Sequence, residues 1–421
     1  MSDPTPMTAG EEWRAHWLMV VAALIGLSVG TLPSVTLGVF MEPLQQEFGW
    51  SRTQISAGLT VFALVSLPLT PLMGVVVDRF GPRRVGVLGL AASALSLAAF
   101  SLLTASIFQY LATWFLLTIT SLSIRSLVWN AAVSEAFSAS LGFAIAIVLC
   151  GTAVAQIAAP FLTQQLIAGF GWRGAYLGLG FGWTGVAFVL AFLFFRNFRR
   201  GPRLSAGDGA VAPAQPMGGL TVKQALRSAP LLRVAFAIFI QTVIAVGVLV
   251  HLIPMLIERG IAPAEAAGVA ALLGIGAICG KLANGWLMDR TSSTLVPTLC
   301  YAGPALGYAI LLATTNLWAV SFAVFIMGYF SGGSQQMTVY LTTRYAGLRN
   351  FATIFGIMTT AMTTAAGVGP VLAGFVFDTT GHYTTLFVGG VVLTLIAGVS
   401  AFRLGSYPDF TTPSEEQPHL A

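Results

Sequence analysis

Apolar runs of about twenty or more residues, each closed by a short cluster of charge, proline or glycine, recur along the whole chain. They fall at about 17–43, 53–77, 85–105, 107–132, 139–167 and 173–195, and again at about 231–257, 265–288, 294–314, 317–341, 351–376 and 383–404. Each is long enough, at the helical rise, to cross a hydrocarbon layer roughly 30 Å thick. Inside lipid every backbone N–H and C=O must be bonded within its own segment, so the pattern predicts helices, twelve of them. Arg196 to Ser228 breaks the series with arginines followed by a Gly/Ala/Pro-rich stretch, the composition of a linker. The expected organisation is a tail over 1–16, a six-helix domain over 17–195, a linker over 196–230, a second six-helix domain over 231–404 and a tail over 405–421.

Composition agrees, with 56% hydrophobic and 8% charged residues against roughly a quarter charged in soluble domains. The start, Met1 to Trp13, has neither a basic region nor a small-residue cleavage site, so no signal peptide is expected. The three cysteines sit in apolar runs without ligand spacing, which predicts packing roles, no metal site and no cofactor. Of twenty Lys and Arg, fifteen collect on one side of the predicted membrane, and only Arg52, Arg173 and Arg259 lie on the other. By the positive-inside rule both termini and the linker are cytoplasmic, and the formal charge of +5 reflects topology and anionic lipid, with no nucleic-acid partner.

Landmarks repeat at an offset of 210 or 211. Pro43 matches Pro254, Gly74-x-x-x-Asp78-Arg79 matches Gly285-x-x-x-Asp289-Arg290, Pro160 matches Pro370, and Gly171 matches Gly381. Six helices per copy leave both copies in the same orientation, a parallel repeat whose substrate site is expected between the halves.

Two basic residues, Lys281 and Arg125, fall inside predicted helices, whereas no acidic residue falls in the middle of one. Lys281 is one of two lysines and lies eight residues from Asp289, about 12 Å into the membrane. A charge at that depth costs roughly 2.5 kcal/mol or more, so it is read as a cavity-facing anchor for an anionic substrate. The bland alternative is a lysine snorkelling to the interface or paired at the cytoplasmic end of its helix. Trp114, Thr118, Ser121 and Arg125 share one face of helix 4 at 4, 3, 4 spacing, and Tyr329, Gly333, Gln336 and Tyr340 do the same on helix 10. The two stripes are expected to face each other across the cavity. Arg125 is read either as a second anion contact or as a structural or gating arginine. Asn284, one turn beyond Lys281, is expected to orient the ammonium or touch substrate. His251 shares a face with Gln241 and is the only histidine within a span, a candidate for a coupled proton or a neutral histidine bonded to a neighbouring helix.

The loop Gly74-Val-Val-Val-Asp78-Arg79-Phe-Gly81-Pro-Arg83-Arg84, with its second copy at Asp289-Arg290, resembles the signature of the major facilitator superfamily. The resemblance implies that these residues form a gate whose charge pairs break as the halves rock. Gly38-Val-Phe-x-x-x-Leu44, Phe48-Gly-Trp-Ser-Arg52, Gly171-Trp-Arg173, His251-Leu-x-Pro254 and Gly369-Pro370-x-x-x-Gly374-x-x-x-Asp378-Thr-x-Gly381-x-Tyr383 are similar to the monocarboxylate and oxalate:formate porter branch. There helix 8 commonly carries a carboxylate-anchoring arginine, and Lys281 occupies that place. The acid that animal carriers place one turn earlier is replaced by Ala277.

The expectation is an all-α membrane protein of the major facilitator fold, a monomer in the bacterial inner membrane. It carries a small organic anion, a monocarboxylate such as a short hydroxy or keto acid or an aromatic acid, by alternating access with a proton. The alternatives are exchange of small dicarboxylates and proton-driven export of lipophilic compounds.

Overall fold

The computed structural model describes residues 8–137, 140–195, 219–290, 295–347 and 349–408, apart from the side chains at 78, 135, 288–290, 335, 336 and 352. Among them there is no strand, only an isolated bridge between Gly219 and Gly347. The helices are α1 (Ala9–Val29), α2 (Leu32–Phe48), α3 (Arg52–Phe80), α4 (Pro82–Ala99), α5 (Ile107–Leu122), α6 (Ser126–Ala136), α7 (Leu141–Leu149), α8 (Gly151–Leu177) and α9 (Thr184–Phe194). The short α10 (Val222–Ala225) precedes α11 (Ala229–Glu258), α12 (Pro263–Arg290), α13 (Leu295–Ala302), α14 (Pro304–Ala313), α15 (Leu317–Ala346), α16 (Phe351–Thr380) and α17 (Thr384–Ser400).

These helices make up the expected twelve crossings. The longest apolar stretch, Leu141–Phe194, has 54 residues, about 80 Å of helix and far more than one bilayer. It turns back at Gly171, where φ is 69° and ψ 173°, a conformation that glycine alone adopts without strain. Its repeat partner Gly381 is likewise left-handed, at φ 77°, and Gly49 and Gly260, another pair 211 apart, have φ of 69° and 83°. The chain thus reverses at matching places in both copies.

Four spans are broken. α1 and α2 form one span kinked at Gly30–Thr31, where Pro33 lacks the N–H that would continue the ladder. α5 and α6 form another, broken at Ser123–Arg125, α7 and α8 meet at Cys150, and α13 gives way to α14 at Gly303. The first helix begins at Ala9, so residues 9–16 extend the first span instead of forming a tail, and Glu12 is buried with the backbone N–H of Ser140 donating to it at 3.1 Å. The expected linker lies outside the described residues except for its end, where Leu220 donates to the carbonyl of Ala346. The rest of the C-terminal tail, from residue 409, lies outside them too.

α1 to α9 pack among themselves and α11 to α17 among themselves, and three pairs join the two groups: α2 with α11, α3 with α16, and α8 with α12. Large apolar side chains such as Leu88, Phe108, Phe143, Phe170 and Val399 are exposed around the outside, as lipid-facing surface requires.

Candidate functional site

The pairing of α3 with α16 is close at one end only. Gly374 lets α16 approach the α3 backbone so nearly that a Cβ there would lie 2.7 Å from Thr53 N. Beside it the Asp378 carboxylate accepts the backbone N–H of Arg52 at 3.1 Å and of Thr53 at 2.9 Å, and the Thr53 hydroxyl as well. These N–H groups belong to the start of α3, where backbone donors lack intrahelical partners and an anion is favoured. The Arg52 guanidinium lies 3.5 Å from the centre of the Phe377 ring and donates to the Tyr383 hydroxyl. Deeper in, Thr60 donates to the carbonyl of Gly367 at 2.7 Å. Toward the opposite end the same helices expose Leu64, Leu72 and Val75 on one and Ile357, Thr359 and Thr360 on the other. The two halves are therefore closed on each other through α3 and α16 at the end carrying Arg52, Arg173 and Arg259, and among the described residues no such bond joins these two helices at the end carrying the Gly74–Arg84 loop.

His251 lies within the closed end, fully buried. Its Nε2 is 2.9 Å from the Pro370 carbonyl oxygen, which can only accept, so Nε2 carries the proton. Ser56 Oγ, 3.0 Å from the same nitrogen, accepts it too, and Nδ1 accepts from the Tyr383 hydroxyl at 2.7 Å. An unbroken chain of donors thus runs from Arg52 on one half through Tyr383 to His251 on the other, and back to Ser56. The structure thus places His251 as the sequence's second alternative has it, a histidine bonded to neighbouring helices, buried in the contact between halves and not lining the cavity.

Below this lock a cavity of about 270 Å³ opens between the halves, walled by Thr31 and Val35 of the first span, Thr152 and Gln156 of α8, Gln241 and Thr242 of α11, Ala277 and Lys281 of α12, and Ser331 of α15, with others. Lys281 reaches it as expected. Among the described residues the ammonium has no hydrogen-bond or ion-pair partner, since the one ion pair found joins Arg173 to Glu47 at 2.6 Å. Gln241 is 2% exposed, and neither its amide oxygen nor its nitrogen has a partner.

Arg125 is not part of a continuous helix 4 stripe. The helix breaks there because Gly89 of α4 seats the Ser123 Cβ closely, and the freed Ile124 carbonyl accepts Trp129 Nε1–H at 2.8 Å. Arg125 becomes the extended residue before α6, donates to Ser66 Oγ at 2.8 Å and lies 5.3 Å from the Phe62 ring centre. It lines a second, mainly apolar cavity of about 330 Å³. The two cavities share Thr242, Val246 and Leu249 of α11 as a common wall, so Lys281 and Arg125 sit in adjoining chambers.

Several other expected contacts are turned elsewhere. Trp114 is packed in its own half against Gly58 and lines a void of only about 10 Å³ there. Ser121 is buried in α5, away from both chambers. Asn284 donates to the Gly280 carbonyl at 2.8 Å, accepts from Cys300 Sγ at 3.3 Å and lies against Gly333, so it joins α12, α13 and α15. Tyr329 packs its backbone on Gly276 and Gly280 and its ring edge-on to Phe330, and Tyr340 accepts from Arg344, so the helix 10 stripe faces its own half. For Asn284 and Tyr329 the physical reason is shared. The small residues of α12 and α15 bring those backbones together, and the faces that meet are thereby withdrawn from the cavity.

In the expected gate, Gly81 bridges α3 and α4 at φ 80°, and Arg83 donates to the Phe192 carbonyl at 3.0 Å inside its own half. Arg79 and Arg84 are exposed, and nothing lies within 4 Å of where a Gly74 side chain would begin, so close packing is not that glycine's role here. The side chains of Asp78, Asp289, Arg290 and Gln336 lie outside the described residues.

Twelve crossings in two packed groups around a cation-bearing cavity define a carrier of the major facilitator type. The Major Facilitator Superfamily model matches residues 17–314, and the chain belongs to that family of membrane transporters. It is 27% identical over 405 residues to monocarboxylate transporter 11 of Mus musculus, covering 91% of this chain and 86% of that one. It is 25% identical over 410 residues to the 3-(3-hydroxy-phenyl)propionate transporter of Escherichia coli (strain K12), covering 96% and 97%. Its fold is that of a solved bacterial homolog of the human lysosomal transporter Spinster, with a TM-score of 0.68 at 17% identity, covering 92% and 96% of the two chains.

Proposed function

We propose that the chain carries a small organic anion, a monocarboxylate, across the bacterial inner membrane by alternating access, as a monomer with both termini cytoplasmic. The observation that carries the reading is Lys281, a cation without a partner among the described residues in the wall of the cavity between the halves. Carboxylate binding neutralises a charge whose burial costs roughly 2.5 kcal/mol or more, and so favours closure around the loaded site. Relatives named for monocarboxylate and for a phenylpropionate support the same chemistry. Because Arg125 lines the adjoining chamber, one carboxylate on Lys281 with an apolar remainder toward Arg125 fits better than a small dicarboxylate bridging both. An exporter of lipophilic cations is disfavoured, since among the described residues no acidic side chain lines either of these two chambers.

Coupling to a proton runs through His251. A proton on Nδ1 removes the acceptor of the Tyr383 hydroxyl and adds positive charge beside Arg52, so acid on that face unlocks the closed end. The Gly74–Arg84 loop and Asp289-Arg290 serve as the gate that closes in the opposite state. Uptake of labelled carboxylic acids into proteoliposomes by Lys281→Gln tests the anchor. A fall to background is expected, and undiminished uptake would overturn it.

A further inference from the structure

We propose that Gln241 reads the substrate's second polar group and makes the carrier prefer a small hydroxy acid over the matching oxo or unsubstituted acid; this rests on the reading of Lys281 as the carboxylate anchor. Buried polar side chains are almost always hydrogen-bonded, and those without a partner call for a specific reason. Among the described residues, buried side-chain atoms without a partner occur at Ser93, Trp114, Asn130, Thr163 and Gln241. Of these only Gln241 lines the cavity that holds Lys281.

Its neighbours do not share the deficit. Thr152 donates to the Leu149 carbonyl and Ser334 to the Ser331 carbonyl, each within its own helix. Asn284 and His251, the other buried amide and imidazole near the seam, use their polar atoms within the protein. Gln241 has both amide atoms shut off from solvent and unbonded, on the helix that forms the wall between the two chambers. A partner brought by the ligand is the simplest completion of this wall.

The chemistry of that partner follows from the amide. A carboxamide offers N–H donors and a carbonyl acceptor. A hydroxyl accepts from the first and donates to the second. An oxo group accepts only, leaving the amide carbonyl unsatisfied, and a hydrogen leaves both atoms so. The order expected is hydroxy, then oxo, then unsubstituted acid. A cavity of about 270 Å³ accommodates an acid of a few carbons with its carboxylate on Lys281 and its hydroxyl on Gln241.

The test compares binding of lactate, pyruvate and propionate, with 3-hydroxybutyrate and butyrate as a longer pair, to purified wild-type protein and to Gln241→Met, which keeps the side-chain length and removes both polar atoms. Wild type is expected to favour each hydroxy acid over its unsubstituted partner by about tenfold, the worth of roughly one net hydrogen bond. In Gln241→Met that ratio falls to near one while propionate and butyrate bind as before. A ratio unchanged in Gln241→Met, or an equal loss for all five acids, overturns the assignment. Lys281→Gln separates the two claims, because it is expected to weaken all five acids together with their ratios intact. Undiminished binding there refutes the anchor, whatever Gln241→Met does.

Discussion

Replacing Asp378 by Asn should loosen the closed end by a calculable amount. The carboxylate takes the N–H groups of Arg52 and Thr53 at 3.1 and 2.9 Å as well as the Thr53 hydroxyl. An asparagine keeps one acceptor oxygen, presents an NH₂ to donors and carries no charge for the start of α3. The loss is one charge-assisted bond, worth about 1.5–3 kcal/mol, plus a helix-terminus contribution of about 0.3–1 kcal/mol. Asp378 is exposed, so solvent screens the charge and the lower figure of about 1.5 kcal/mol applies. At 1.4 kcal/mol per factor of ten, the ratio of closed to open molecules at that end falls roughly tenfold. A cysteine in place of Ser56, which is buried under the lock, reports the opening through its rate of labelling by a membrane-impermeant maleimide added from the Arg52 face. The native Cys150, Cys279 and Cys300 are replaced by serine so that one site reacts. The double variant with Asp378→Asn should react roughly tenfold faster than Ser56→Cys alone. Equal rates would show that Asp378 does not hold the halves together, and the latch would have to be assigned elsewhere.

His251→Gln should flatten the pH dependence of uptake. On the proposed coupling, wild-type uptake is expected to rise as pH falls on the Arg52 face, because a proton on Nδ1 would break the bond from Tyr383. A glutamine cannot take up that proton, so uptake by the variant should vary less than about twofold between pH 5 and 8, and an unchanged slope would dismiss His251 as the proton site. Gly280→Ala should lower the melting temperature in detergent, since its Cβ would lie 1.8 Å from the Tyr329 carbonyl oxygen. Overpacking of this kind costs about 1–3 kcal/mol, against the 0.5–1 kcal/mol gain usual for Gly to Ala in a helix. A higher melting temperature would therefore refute the close contact of α12 with α15.

The class of fold, the number of crossings and the parallel repeat were legible in residue order, because each depends on local quantities: run length, charge bias, and glycines at 171 and 381 that must take positive φ. Lys281 was legible for the same reason, as a charge where charge is costly. The closing motif was visible only as unassigned resemblance, in Phe48-Gly-Trp-Ser-Arg52 and Asp378-Thr-x-Gly381-x-Tyr383, whose members lie more than 300 residues apart and meet through Gly374. Which face of a helix meets water and which meets a neighbour is settled by packing between helices. That is why Asn284 and Tyr329 turned inward, why helix 4 broke at Arg125 where Gly89 and Trp129 stabilise the gap, and why Gln241, marked in the sequence only as sharing a face with His251, emerged as the unbonded amide in the cavity wall. Periodicity assigns a residue to a stripe, but only the tertiary contacts decide what the stripe faces.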